Sequence, residues 1–265
     1  MNVRLTGVEL LHTNGQRALI IPEMHVNRGE QVALIGSSGA GKTTLLRLLA
    51  SSLRPSQGVV TLFDQDPWML SGSIRQRLRA RIGLIHQAPP LPARQRVVTA
   101  VLAGRLGQWP LWRSLISLVY PLDRAGAAQA LARLDLEDKL FERCDQLSGG
   151  QLQRVGIARV LYQAPELVLA DEPVSAMDPL LASHTLKVLV KDAQARQATL
   201  ITSLHSVELA LNHFPRVIGL RQGAVMFDKA AKDVHPDDLA LLYANEQLSQ
   251  AEVHPQRAQA TVSRC

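Results

Sequence analysis

Eight consecutive residues, Gly36-Ser37-Ser38-Gly39-Ala40-Gly41-Lys42-Thr43, follow the spacing GxxxxGK[ST]. The chemistry this permits is the cradling of phosphate. Glycines let the backbone turn tightly, so that successive N–H groups converge on one anion. A helix that starts there adds the positive end of its dipole. The Lys42 ammonium brings a point charge to the terminal phosphates, and the Thr43 hydroxyl is a ligand for Mg²⁺. Further along, the apolar run Leu167-Val168-Leu169-Ala170 leads into Asp171-Glu172. Two adjacent carboxylates at the end of a strand can divide the work, Asp171 on a metal ion and Glu172 on an attacking water. An Asp-Glu pair after an apolar run is common by itself. Beside a phosphate loop it becomes informative.

These groups need a scaffold, and the pattern of apolar residues supplies one. Gln31 to Ile35 reads as a short strand leading into the glycine-rich turn, and Lys42 to Leu53 as a helix with a broad buried face at Leu45, Leu46, Leu48, Leu49 and Leu53. Strand character recurs at Val3 to Leu10, Ala18 to Ile21, Val59 to Phe63, Arg81 to Ile85, Leu167 to Ala170 and Thr199 to Ser203. Pro179 to Arg196 reads as a helix, and Val217 to Leu220 and Ala224 to Phe227 flank a hairpin turn at Gln222-Gly223. From about Pro89 to Gln163 the period is helical, with Ala127, Leu131 and Leu134 on one face and Leu152, Val155, Ala158 and Leu161 on another. Strands alternating with helices imply an α/β fold with a largely parallel sheet, interrupted by a helical insertion.

Composition narrows the classes. The chain has 265 residues, 46% of them apolar, enough for one large domain. The formal charge of +6 is compatible with a phosphate-bearing ligand, nucleic acid or an anionic surface, and equally with none of these. Two cysteines, Cys144 and Cys265, suggest no disulfide framework and point to a reducing compartment. No apolar run reaches the roughly 18–20 residues that cross a bilayer; the stretch Leu111 to Leu122 is broken by Arg113. A chain involved in transport would therefore need another subunit for the pore. Arg75, Arg77, Arg79 and Arg81 alternate without interleaved aromatics, which favours a solvated helix face over a nucleic-acid site.

Leu147-Ser148-Gly149-Gly150-Gln151, with a P-loop upstream, resembles the signature of the ABC ATPases. The other motifs resemble that family in order. Gln87 stands where the Q-loop glutamine belongs, Asp171-Glu172 resembles Walker B, and Ser175-Ala176-Met177-Asp178 resembles the D-loop, with Met177 where leucine is usual. His205 matches the switch histidine. The resemblance covers about residues 2–246 and implies a P-loop NTPase fold: a RecA-like core, an antiparallel β portion and a helical subdomain at about 88–160. Residues 247–265 read as a polar, disordered tail. The resemblance implies ATP and Mg²⁺ as cofactors. Gly36, Ser37, Ser38, Gly39, Ala40, Gly41, Lys42, Thr43 and Thr44 would hold the nucleotide, and Ser148, Gly149, Gly150 and Gln151 would contact the ATP of an opposite subunit. Thr43, Gln87 and Asp171 would serve the metal, and Glu172, His205 and Gln87 the catalysis. The aromatic residue that the family stacks on adenine is replaced, by its spacing from Asn14-Gly15, by His12, whose imidazole covers less area.

Gly104-Arg105-Leu106-Gly107, Pro110 and Trp112-Arg113-Ser114-Leu115 resemble the phosphonate-importer branch, as do Asp123-Arg124 and Ile218-Gly219-Leu220-Arg221. The branch implies an energy-coupling ATPase that works as a homodimer, peripheral on the cytoplasmic face of the inner membrane. Its partners would be integral permease subunits and a separate solute-binding protein, with no nucleic acid. An importer of another oxyanion such as phosphite or a sulfur analogue stays open, as does a non-transport ABC ATPase. Such proteins usually carry two ABC domains or a long coiled coil. A degenerate ATP-binding switch is disfavoured by Glu172 and His205. Between Gln87 and Leu118, the residues Leu91, Val97, Val98, Leu102, Leu106, Trp109 and Trp112 are more apolar than a thin subdomain readily buries, so a membrane partner is expected there, with Trp109, Trp112, Arg105 and Arg113 as anchors.

Overall fold

The computed structural model describes residues 3–11 and 15–244. One sheet runs through it. Its strands in chain order are β1 (Val3–Leu11), β2 (Arg17–Val26), β3 (Gln31–Ile35), β4 (Gln57–Leu62), β5 (Ile82–Ile85), β6 (Leu167–Asp171), β7 (Thr199–Ser203), β8 (Arg216–Arg221) and β9 (Ala224–Ala230). In space the order is β4-β1-β2-β9-β8-β3-β7-β6-β5. The half from β8 to β5 is parallel. The β1, β2 and β4 portion is antiparallel. A hairpin, β8–β9, joins the halves, with β9 meeting β2 at the single pair Ile20↔Ala224.

The helices are α1 (Lys42–Leu49), α2 (Gly72–Arg79), α3 (Val97–Leu102), α4 (Leu111–Val119), α5 (Arg124–Ala132), α6 (Gly149–Gln163), α7 (Pro179–Arg196), α8 (Val207–His213) and α9 (Pro236–Tyr243). They cover both faces of the parallel strands, which explains the unbroken apolar character of β3. Val32 and Leu34 pack into one core with Leu45 and Leu49 of α1, whereas Ala33 and Ile35 pack into the other. That second core extends to Val97, Val101, Leu131 and Val155, so α3, α5 and α6 are seated on the sheet through shared apolar side chains.

Each expected strand is present. β2 runs past Ile21 to Val26 because β1 pairs with it as far as Val3↔Val26. Pro22 is tolerated there, since β9 reaches β2 only at Ile20 and no second ladder needs its missing N–H. α1 stops at Leu49 rather than Leu53. Ala50 caps it and Ser51 turns into the left-handed region at φ 55°, which ends the helix.

The parallel strands share one polarity, so their C-terminal ends open on the same edge of the sheet. In open α/β sheets that edge is where ligands bind. The phosphate loop follows β3, Gln87 follows β5, Asp171 ends β6, and His205 follows β7. Four segments far apart in sequence therefore converge at one place.

Candidate nucleotide-binding and hydrolysis site

The phosphate loop has no alternative residues at two of its glycines. Gly36 sits at φ 148° and a Cβ there would lie 2.0 Å from the Leu220 carbonyl oxygen, while Gly41 caps α1 at φ 102°. The loop thus packs against backbone of β8 on one side and opens α1 on the other. Lys42 is buried, and its Nζ donates to the carbonyl oxygens of Gly36 at 2.6 Å and Ser37 at 3.0 Å, which hold the ammonium under the loop.

Asp171 and Glu172 are both buried at the end of β6. Thr43 Oγ1 donates to Asp171 Oδ1 at 3.0 Å, and Ser203 Oγ donates to the same oxygen at 2.8 Å. Glu172 has φ 47°, an uncommon conformation for a residue with a side chain. Its N–H donates to Ser203 Oγ at 3.0 Å. Its carboxylate is gripped from both sides: Gln87 Nε2 donates to Oε2 at 2.6 Å, and His205 Nε2 lies 2.6 Å from Oε1. Just beside Gln87, burial and the nearby Arg47 hold His86 below the ordinary imidazole range.

Ser38, Gly39, Ala40, Gly41, Lys42, Thr43, Thr44, Gln87, Glu172 and His205 line one cleft of about 600 Å³. Sequence reasoning had singled out each of these. It missed Arg17, Ala18, Gln222 and Gly223, which complete the wall. The hairpin turn was legible, but its contact with the loop was not. Gln222 and Gly223 both have positive φ, at 48° and 79°, and Gly223 N–H donates to the Ala40 carbonyl at 3.0 Å. Ser203 was also missed, since a serine at a strand end carries no distinguishing local pattern.

Ser148, Gly149, Gly150 and Gln151 are absent from this cleft. Ser148 instead caps α6, with its Oγ accepting from Gln151 N–H at 3.3 Å and Gln151 Oε1 accepting from Ser148 N–H at 2.8 Å. This reciprocal capping box leaves Ser148 and Gly149 exposed, apart from the cleft. His12 lies outside the described residues, as does the segment 247–265.

The basic run lies largely on the solvated side of α2, as expected, with Arg77 and Arg79 exposed, whereas the expected partner anchors divide differently from the expectation. Arg75 stacks on Trp68 at 5.3 Å, Arg79 donates to the Ser51 carbonyl at 2.6 Å, and Arg81 pairs with Glu166 at 2.6 Å, so three of the four arginines are tied into the fold. Val97, Val98 and Leu102 are core residues. Trp109 and Arg105 are also internal contacts rather than free anchors. Trp109 meets Tyr162 edge-on at 6.4 Å with Arg113 stacked 4.6 Å above it, and Arg105 Nε donates to the Tyr162 carbonyl at 2.7 Å. The reason is α6, which presents Tyr162 to this segment. The exposed apolar side chains belong to α4 instead: Leu111, Trp112, Leu115 and Ile116, with Trp112 at 64%.

Residues 21–175 match the family model described as ABC transporter. The chain is 68% identical over 255 residues to a phosphonates import ATP-binding protein of Pseudomonas aeruginosa, covering 96% of each chain. It is 57% identical to the corresponding protein of Pseudomonas entomophila over the full length of both. Among solved structures it resembles a dimeric ATP-binding cassette in a post-hydrolysis state bound to ADP and Pi, with a TM-score of 0.77 at 25% identity, over 88% of this chain and all of the other. A subunit of an ABC transporter complex from Clostridium perfringens aligns with a TM-score of 0.74 at 25% identity, over 94% of this chain and 96% of the other. The phosphate cradle, the gripped carboxylate and these relatives agree: the chain belongs to the ABC transporter family, as an ATP-hydrolysing ATP-binding subunit of the phosphonates import group.

Proposed function

We propose that this chain powers the uptake of phosphonates by hydrolysing ATP at the cleft between the phosphate loop and Glu172. The observation that carries the chemistry is the seating of Glu172, with one carboxylate oxygen on Gln87 and the other on His205, at the mouth of a phosphate-binding loop. Glu172 orients and deprotonates the attacking water, His205 senses the γ-phosphate side, and Gln87 links the site to the helical segment that follows it. Ser37, Ser38 and the loop amides hold phosphate oxygens, and Lys42 neutralises them. The substrate class rests on the relatives, which are named for phosphonate import.

The residues present also fit Mg²⁺. Thr43 Oγ1 donates to an Asp171 carboxylate oxygen at 3.0 Å, and Thr43 and Gln87 line the same cleft. Among the described residues no group of three or more His, Cys, Asp or Glu side chains could hold a metal. That suits an ion held by one carboxylate and the phosphates of its nucleotide rather than by a protein cage. When bound, the ion supplies charge neutralisation at the phosphates.

Two further assignments follow. The separation of Ser148–Gln151 from the cleft supports a head-to-tail homodimer, in which each signature closes the partner's nucleotide. No helix among the described residues is long and apolar enough to cross a membrane. Transport then needs integral permease subunits, with this chain docked on their cytoplasmic side through residues 87–118, and a separate protein to capture the solute. The test is uptake of a labelled alkylphosphonate in cells lacking the chain. Wild-type chain restores it and Glu172→Gln does not, with phosphite and sulfate uptake measured alongside. Restored uptake of phosphite alone would reassign the substrate, and unimpaired phosphonate uptake without the chain would overturn the proposal.

A further inference from the structure

Gln153 lies on α6, one turn beyond the exposed signature residues, yet it is 1% exposed. A buried carboxamide is retained only where its hydrogen bonds are met. Here they are met by three other segments of the chain. Nε2 donates to the Glu172 carbonyl at 2.9 Å, and lies 3.3 Å from both the Gln87 carbonyl and Ser175 Oγ. Oε1 accepts from the Ala176 N–H at 3.2 Å. One side chain on the signature helix therefore holds the backbone of Gln87, the backbone of Glu172 and the loop at 175–176.

The two backbones it holds belong to the pair whose side chains meet. Gln87 Nε2 donates to Glu172 Oε2 at 2.6 Å. Gln153 thus sets the separation of the two residues from behind. Glu172 has the additional demand of its left-handed conformation at φ 47°, which persists only if surroundings over-determine it. Ser203 fixes its N–H and Gln153 fixes its carbonyl. The loop at 175–176 touches the signature too, since a Cβ on Gly150 would meet the Ala176 carbonyl oxygen at 2.9 Å. A shift of α6 is therefore transmitted to Glu172 by a direct hydrogen bond and, in parallel, through this loop.

We propose that Gln153 is a positioning residue that couples the signature helix to the Glu172 carboxylate, so that the arrangement of α6 decides whether Glu172 is held for hydrolysis. This rests on the reading of Glu172 as the hydrolytic carboxylate. Gln153 touches no substrate in this arrangement, as it is not among the residues lining the cleft. Its effect belongs in turnover rather than in nucleotide affinity.

The experiment compares Gln153→Met, which keeps the volume and removes the hydrogen bonds, with Gln153→Glu, which keeps the acceptor for Ala176 and removes both donors. Each is measured alone and combined with Glu172→Gln, after a thermal melt to identify folded protein. The expected result for Gln153→Met is a fall of tenfold or more in kcat, with KM for ATP within about threefold, the signature of an interaction made in the transition state alone. Gln153→Glu should fall similarly. Combined with Glu172→Gln, neither should reduce the residual turnover further, because both changes act on one group. A merely structural residue would instead lower turnover by the same factor in both backgrounds. Wild-type kcat in either folded variant, or equal losses in both backgrounds, overturns the proposal. Normal turnover in Glu172→Gln alone would overturn the reading of Glu172, and that outcome is distinct from a failure at Gln153.

Discussion

Oε1 of Glu172 lies 2.6 Å from Nε2 of His205, across the mouth of the cleft that the phosphate loop defines. With Gln87 on the other oxygen, the carboxylate is held from both sides while each oxygen keeps a lone pair for a further donor. Glu172→Gln keeps the shape and removes the base, so kcat should fall about 10²–10⁴-fold with ATP binding retained. Steady-state hydrolysis beside equilibrium nucleotide binding checks this. His205→Ala should also reduce kcat far more than affinity, and a pure affinity loss would assign His205 to binding instead.

Trans action can be read by mixing. Lys42→Ala removes an ammonium held under the loop by two carbonyls and should weaken ATP binding by about 1.5–3 kcal/mol, the range for a hydrogen bond to a charged group. Ser148→Arg should abolish hydrolysis while the monomer still binds ATP. It also removes the α6 cap, at about 1 kcal/mol of stability. A mixed dimer of the two variants contains one intact site. Recovery of ATPase activity on mixing supports the head-to-tail dimer; full wild-type activity that is independent of concentration argues against it.

Trp109 and Trp112 should behave oppositely. Trp109 is packed against Tyr162 and Arg113, so Trp109→Ala should destabilise by about 3 kcal/mol, the lower end of the range for a buried tryptophan. Trp112 projects from α4 and is 64% exposed, so Trp112→Ala should change stability by no more than about 0.5 kcal/mol. If α4 belongs to the permease dock, that second variant alone should keep ATPase activity while losing co-purification with the permease. Chemical denaturation and membrane pull-down separate the two effects.

Glu166 is one contributor to acid sensitivity, beside Glu30 and Asp238, whose carboxyls are also lowered. The Arg81 guanidinium donates to both Glu166 oxygens, at 2.6 and 3.0 Å, and holds that carboxyl below its ordinary value of 4.5. A depressed carboxyl stabilises the fold above its unfolded value, and the contribution is lost as pH falls through the folded one. Both side chains are partly exposed, so the effect is modest. Glu166→Gln should flatten the stability profile below about pH 4.5 and leave its shape near neutrality unchanged. Thermal melts across pH 3 to 7 check it, and an unchanged acid limb would place the sensitivity elsewhere.

The sequence by itself determined the phosphate loop, the carboxylates at the end of β6 and the nine strands, because each is written in local spacing or period, whereas Gln87 and His205 were legible through the resemblance to the family. Gly36 and Gly41 announce their backbone requirement through residue type alone. Tertiary structure decided what these groups touch. Gln153 looks like any polar residue of an amphipathic helix until α6 packs its carboxamide against Glu172 and Gln87. Gln222-Gly223 reads as a turn, and only the pairing of β8 beside β3 brings it to the loop. Trp109 reads as an anchor until Tyr162 occupies its edge. Spacing encodes backbone geometry over a few residues, whereas a side chain's partners depend on close packing between segments that are remote in the chain.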